Sequence, residues 1–455
     1  MPAQFNVAIV GGGIVGLVTA IGLQKRGIPI KIYEQSSMFR ELGAGVAFTA
    51  NAMKCMELLD PGIVDAVNAV ATPNGEDMNN PNDYMRYHDG YHYDPTDPSN
   101  TDDKLLGLLF SGYKGFQGCH RAHLLDKLVK MVPESVVDLG HRFVGFEDRG
   151  PDKKLLLRFQ DGTTAEADAI IGCDGIKSKV RQAILGVSNP ASYPQFSHKV
   201  AYRALVPMNL VIPVLGTFKA LNMHLHTGPR AHVLHFPVVN QTLLNVVIFV
   251  TQEEDWPLVD EEHASVLRSM TADGSRAELD AVFESWGPTV RSLVGLLPDK
   301  MVKWAIFDLH DRPLPTYVCG RVVLAGDAAH ASSPHHGGGA GVGVEDALAL
   351  SKLFEIVCES IKLDHDQDIN QSRLNALLEA AFNAYDKVRP PRSQWLVKSS
   401  REACEIYEWA YPDTKDDWAK CMVEIERRSH KLWYFDIEGM LSELEMEYRK
   451  QLTRG

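Results

Sequence analysis

Three short stretches of the chain pair glycines with a carboxylate in a way that suits a phosphorylated, hydroxyl-rich cofactor. The first is Gly11-Gly12-Gly13-Ile14-Val15-Gly16, a G-x-G-x-x-G run set between a β-rich segment and a helical one. In such a run Gly11 makes the tight turn and Gly13 lets the backbone approach a pyrophosphate. Gly16 allows close helix–strand packing, and the helix N-terminus opening at Ile14 and Val15 attracts phosphate charge. Glu34 lies 18 residues beyond Gly16, at the end of the next β-rich run. A carboxylate there accepts ribose hydroxyls and repels a 2′-phosphate. The motif accommodates FAD and NAD equally.

The second stretch is Gly326-Asp327-Ala328-Ala329-His330, continued by Pro334-His335-His336-Gly337-Gly338-Gly339-Ala340-Gly341-Val342-Gly343. An aspartate at a strand end, facing a glycine-rich helix entry, suits a polyol hydroxyl. The exposed N–H groups around Gly339, Ala340 and Gly341 suit the electron-rich edge of a flat ring. A plain dinucleotide dehydrogenase has no need of such a second site about 300 residues downstream. His335 and His336 precede the loop, where they can tune a ring or relay a proton; neither has metal-ligand spacing, and no metal is expected. The third stretch is Gly172-Cys173-Asp174-Gly175, with Ser178 and Arg181 at helical spacing behind it. Alone, an Asp-Gly pair is also an ordinary turn.

The elements that must carry these motifs follow from apolar spacing. Residues 6–10 read as a strand, 14–26 as a helix ending at Gly27, and 28–33 as a second strand. Helical spacing recurs over 51–70 and 121–132, and the Pro-, Asn- and Gly-rich stretch 72–104 reads as a long surface excursion. Residues 142–171 alternate around Asp161-Gly162 and end in the apolar run Ala169-Ile170-Ile171. From 190 to 310 the texture is β-rich, with strands expected at 198–206, 220–226, 231–239 and 243–251 in one inserted antiparallel sheet. A buried strand at 321–326 leads into the glycine loop, a long helix starts near Val344, and the last stretch of about 80 residues is helical and charged.

Composition bounds the class. The 455 residues carry 46 basic and 59 acidic side chains, a net charge of −13, which argues against a nucleic-acid or anionic-membrane surface. Seven cysteines without a CxxC pair point to reduced thiols and a cytoplasmic setting. The opening apolar run 7–23 is broken by glycines and lacks a basic lead-in, so it reads as strand, turn and helix, not as a signal or membrane segment.

Taken in order, the three motifs resemble the aromatic-ring flavoprotein monooxygenases of the para-hydroxybenzoate and salicylate hydroxylase type, over nearly the whole chain. Within that family the stretches Phe39-Arg40-Glu41-Leu42-Gly43-Ala44-Gly45, Phe48-Thr49-Ala50-Asn51-Ala52, Pro334-His335-His336-Gly337 and Ser429-His430-Lys431-Leu432-Trp433 are most similar to the fungal salicylate-hydroxylase-like branch, which includes enzymes that dearomatise polyketide phenols. The resemblance implies an α/β fold. A Rossmann-like FAD-binding domain of the glutathione-reductase type (1–190, returning at 311–375) would carry an inserted antiparallel-sheet substrate domain (191–310) and a C-terminal helical segment (376–455). It further implies bound FAD, NADPH or NADH as co-substrate, O₂, and attack on a small phenolic substrate, ortho to a phenolate, through a flavin C4a-hydroperoxide. The expected assembly is a monomer or homodimer.

In that family the first motif holds the ADP half of FAD, Gly326-Asp327 the ribityl chain, and Asp174-Gly175 both FAD and NAD(P)H. Gly45 and Pro334 join the cofactor contacts, and Arg121 matches an arginine near the ribityl–pyrophosphate junction. Arg203 matches the arginine that relatives set against a phenolate or carboxylate, a task suited to a permanent, bidentate cation. Alternation puts His232, Leu234 and Phe236 of the strand 231–237 on one face, Val233 and His235 on the other. Phe236 stands where some dearomatising relatives carry a phenolate-holding tyrosine, and Tyr113 near Phe116 is the candidate replacement. Competing readings are a salicylate 1-hydroxylase, which also releases CO₂, a plain NAD-dependent dehydrogenase and a non-catalytic flavin-binding regulator. A flavin halogenase is disfavoured because no W-x-W-x-I-P signature is present.

Overall fold

The computed structural model describes residues 5–39, 45–79, 82–97, 101–112, 116–257, 269–363 and 369–454; the side chains of Phe116, Gln117 and Arg454 are not included. Consecutive apolar residues build its first sheet. Val7–Val10, Ala169–Gly172 and Val322–Leu324 are buried along their whole length, as parallel strands covered on both faces must be. The six strands run in the order Val318–Cys319, Val322–Leu324, Ala169–Gly172, Val7–Val10, Ile30–Glu34, Val137–Leu139. All pairs are parallel except the terminal Val318–Cys319 hairpin. The helices Ile14–Lys25 and Gly339–Leu363 cover the sheet.

A second sheet has eight strands, in the order Thr271–Ser275, Lys300–Asp308, Gln195–Pro207, Leu243–Thr251, Ala231–Val238, His224–Gly228, Tyr84–Asp89, Lys104–Phe110. Its pairs are antiparallel apart from the parallel contact of His224–Gly228 with Tyr84–Asp89. Register aligns Arg203 with Val247, Val247 with Leu234, and Leu234 with Leu225 on one face. The other face carries Tyr202, Val233, Val246 and Ile248, packed with Leu279, Val290 and Leu293 of the covering helices and with Trp286 between them. The C-terminal helices Gln371–Tyr407, Trp418–Trp433 and Ile437–Arg454 close the molecule.

Several expectations change. The stretch 72–104 is no surface excursion: it carries Tyr84–Asp89, which pairs with Lys104–Phe110 and joins the second sheet. The substrate sheet therefore recruits chain from inside the expected 1–190 unit, because loop-rich composition hid an alternating strand. The helix expected over 51–70 is two, Ala50–Leu59 and Pro61–Asn68, divided where Asp60 accepts from the Gly62 N–H at 2.8 Å and Pro61 starts a new turn. Inside the β-rich region Met208–Ala220 is helical, so the strand expected at 220–226 lies at His224–Gly228. The long helix starts at Gly339, five residues before Val344. The expected boundary at 375/376 falls within Gln371–Tyr407, one helix that packs against Gly339–Leu363 and Ile437–Arg454.

Candidate active site

All three motifs leave the carboxyl ends of neighbouring parallel strands: Val7–Val10 runs into Gly11, Ala169–Gly172 into Cys173-Asp174-Gly175, and Val322–Leu324 into Gly326-Asp327. Residues about 300 positions apart in the chain thus share one edge, the edge where open α/β sheets bind ligands. A cavity of about 940 Å³ opens there and continues to the first face of the second sheet.

The first turn is built as its glycines require. Gly11 has φ +106°, and a Cβ on it would lie 2.5 Å from the Cys173 carbonyl oxygen. A Cβ on Gly16 would lie 2.1 Å from the Gly11 carbonyl oxygen, so Gly16 is a packing residue and does not line the cavity. Gly13 differs: a Cβ there would meet nothing within 4 Å, and the residue faces the cavity. It N-caps Ile14–Lys25 without a side-chain cap, leaving first-turn N–H groups for an anion. Glu34 accepts from the Gly12 N–H at 2.7 Å and the Ser36 N–H at 2.9 Å, and lines the cavity beside Ile14 and Val15.

The Asp174 carboxylate accepts from Ser178 Oγ (2.5 Å), Lys179 N (2.6 Å) and Val180 N (3.1 Å); burial pushes its pKa up. It is thus a helix-entry brace as well as a cavity residue, next to Gly175. Arg181, fully buried, donates to the carbonyls of Ile176, Ser192 (3.1 Å) and Ala328 (2.8 Å), stapling the third motif to the second. Beneath Gly326 lies a network that sequence reading missed. Asp346 accepts from the Gly326 N–H (2.9 Å), from His330 Nε2 (2.5 Å) and from Arg389 Nε (2.8 Å). Glu345 accepts from Arg389, Arg392 and Asn51. Burial pushes the Asp346 carboxyl up, but His330 and Arg389 outweigh it and hold it at about 2. Gly326 (φ +61°) packs on Val15 and Gly341 on Ala52, so neither lines the cavity, whereas Asp327, Pro334, Gly339 and Ala340 do. Open space at Gly13 and Gly175, a bare helix N-terminus and two flanking carboxylates fit a flavin dinucleotide.

The opposite wall is the second sheet. Arg203, His232, Leu234 and Phe236 line it as alternation requires, joined by Met85, Met223, Leu225, Val247 and Phe249. Arg203 is half-buried, its Nε has no hydrogen-bond partner, and its guanidinium sits 5.8 Å from the Trp304 ring. Burial and the Arg121 charge, also at the cavity, pull its pKa down. Asn245 was missed. It lines the cavity with Oδ1 buried and unpaired, and strand alternation with Val247 and Phe249 would have exposed it as the polar member of an apolar set.

Both loop histidines reach the cavity. His336 Nε2 bonds Ser399 Oγ at 2.9 Å, and burial with Arg428 pulls its pKa down to about 4. His335 bonds Ser333 Oγ at 3.1 Å while its buried Nε2 is unpaired. The fold brings His232, His335 and Cys404 donor atoms within 4.8 Å of one another. Burial, with Glu408 adding, pushes the Cys404 thiol well up. Gly45 lines the cavity against the Phe236 ring. Tyr113 and the run Arg40-Glu41-Leu42-Gly43-Ala44 lie outside the described residues, and of Phe116 only the backbone is described.

Comparison with known proteins defines the class. The FAD binding domain family matches residues 4–360. An FAD-dependent monooxygenase of a Phoma species is 46% identical over 444 residues, covering 96% of this chain and 97% of the relative. A salicylate hydroxylase of Sarocladium schorii is 47% identical over 450 residues, covering 97% and 91%. Among solved structures, a salicylate hydroxylase substrate complex superposes with a TM-score of 0.80 at 29% identity, covering 97% and 98%. The chain belongs to the FAD-binding-domain family of flavin monooxygenases. It is an FAD-dependent monooxygenase of the salicylate hydroxylase-like branch. Among the described residues no helix is long and apolar enough to cross a membrane.

Proposed function

We propose that this enzyme uses NAD(P)H and O₂ to hydroxylate a phenolic ring at the carbon ortho to a phenolate, an attack that would dearomatise a polyketide-derived phenol substituted at that carbon. The observation that carries the reading is Arg203, a cation with an unpaired Nε, set among apolar walls in the cavity that the three glycine motifs enter. In such surroundings its field on a bound oxyanion is strengthened, because water is excluded. Ionising the phenol raises electron density at its ortho carbon, which is what an electrophilic oxygen needs.

FAD, once bound and reduced by NAD(P)H, supplies that oxygen from O₂. The chain's own residues do the rest. Gly11–Gly13 and the helix after them receive the pyrophosphate, Glu34 the ribose, and Asp327 the ribityl chain. Leu234, Phe236, Val247 and Phe249 keep water from the reacting ring. A second reading, decarboxylative hydroxylation of a salicylate, is favoured by the likeness to salicylate hydroxylases, since Arg203 suits a carboxylate as well as a phenolate. Purified protein should be yellow and should consume NAD(P)H and O₂ faster with a phenol present. A panel of salicylates, resorcinols and orsellinic-type aldehydes, scored for hydroxylated product and CO₂, separates the two readings. Flavin without phenol-dependent oxygen uptake would remove both.

A further inference from the structure

A fully buried carboxylate beside the substrate wall belongs to none of the three motifs. Glu408 caps the C-terminus of Gln371–Tyr407, and its side chain is fully buried. Its Oε1 accepts from His232 Nδ1 at 3.1 Å and from the Cys404 thiol at 3.5 Å. Its Oε2 accepts from Thr251 Oγ1 at 2.7 Å and from the Lys199 ammonium. Lys199 balances its charge, so the pair needs no further cation. Burial pushes the Glu408 carboxyl up, but the His232 hydrogen bond and Lys199 outweigh it and hold it at about 2.

An ionised carboxylate only accepts, so Nδ1 of His232 must carry the ring proton. Neutral His232 then has its lone pair on Nε2, and the residue lines the cavity on the face that carries Arg203. The ring is clamped by stacking on Phe249, 4.7 Å between centroids at 16°. The groups that face it are Glu408, Cys404 and Tyr407 from Gln371–Tyr407 and its cap, Lys199 from Gln195–Pro207, and His335 from Pro334–His336. Burial, with His232 adding, pulls His335 well down, so it brings no competing charge.

We propose that Glu408 is a positioning residue that makes His232 Nε2 the acceptor of the substrate's phenolic proton. The phenol O–H bond breaks, an N–H bond forms at Nε2, and the electron pair stays on the oxygen beside Arg203. The new imidazolium is held by the Glu408 carboxylate on its other nitrogen. This rests on the phenol-hydroxylase reading above, and the sequence held no sign of it, since positions 232 and 408 are 176 residues apart.

The test titrates 2,4-dihydroxybenzaldehyde bound to the flavin-loaded enzyme, following its phenol and phenolate absorbance with pH. Flavin content and ligand-free flavin reduction by NAD(P)H are measured alongside. Wild type should hold the probe as phenolate below its solution pKa. His232→Gln and Glu408→Gln should each raise the bound probe's pKa by about one unit or more, a roughly tenfold loss of anion at fixed pH. Glu408→Asp should recover part of the shift. Glu408→Gln leaves Lys199 buried and unpaired and so endangers folding; His232→Gln leaves that pair intact and decides the matter. An unshifted probe titration in His232→Gln overturns the proposal. If wild type holds flavin but no phenol accelerates oxygen uptake, the hydroxylase reading falls first and takes the proposal with it.

Discussion

At the scale of single residues, the cavity separates groups whose removal should cost activity from groups whose removal should cost folding. Arg203 has no carboxylate partner among the described residues, so its replacement strands no buried anion. Arg203→Met should therefore keep flavin and lower kcat/KM on phenols by about 10²–10³-fold, the usual loss for one electrostatic donor. Arg203→Lys should recover only part, because an ammonium lacks the planar fork. Asn245 makes the opposite case. Its Oδ1 is buried without a partner, which costs about 1–3 kcal/mol in the folded state. Asn245→Leu should raise Tm slightly while raising KM for the phenol; a lower Tm would show that the amide serves the fold. Arg203 was legible because it sits in a strand matching a family pattern, whereas Asn245 was legible only from its alternation with Val247 and Phe249.

At the scale of elements, the turn after Val322–Leu324 rests on a buried lattice of charges from Gly339–Leu363 and Gln371–Tyr407. Arg389 satisfies Glu345 and Asp346 together, and all three side chains are fully buried. Arg389→Met should destabilise by about 3–5 kcal/mol, since both carboxylates lose a partner. Flavin should then be lost through collapse of the Gly326 turn, seen as a lower Tm in the flavin-free protein. Asp327→Ala should weaken flavin retention and leave the flavin-free Tm unchanged, because Asp327 faces the cavity. Glycine motifs announce such a turn; the polar network beneath it is not announced, as Asn51, Glu345 and Arg389 sit on separate helices. Helix and strand type were read well where apolar spacing was long. The split at Asp60-Pro61 was missed although its signals were local, and Tyr84–Asp89 was missed because its pairing partner, His224–Gly228, is far along the chain.

At the scale of the whole molecule, the face of the second sheet away from the cavity holds an unusual density of buried imidazoles. His226 Nδ1 bonds Asp103 Oδ1 at 2.7 Å, His235 bonds His226 at 3.1 Å, and His224 bonds His88 at 2.9 Å. Lys219 also reaches Asp103. Burial, helped by His226 and Lys219 against the opposing pull of Asp103, brings His88 down to about 4. An unfolded histidine titrates near 6.5, so the unfolded chain takes up this proton first. The stabilisation from a neutral His88 is whole above about pH 6.5 and is lost as pH falls toward about 4. Thermal melts should show Tm falling through that window, and His88→Gln should flatten the fall; an unchanged slope would place the acid-sensitive group elsewhere.

The three motifs, their order and their carboxylates were written in local residue types, because turn geometry and phosphate binding act over a few neighbouring positions. They were enough to specify a flavin dinucleotide and the family to which the chain belongs. Which side chains meet across the cavity was settled by strand register and helix packing instead. Glu408 behind His232, Asp346 beneath Gly326 and His226 against Asp103 are contacts between positions 20 to 176 residues apart. Burial is what gives those contacts their strength, and no local pattern encodes it.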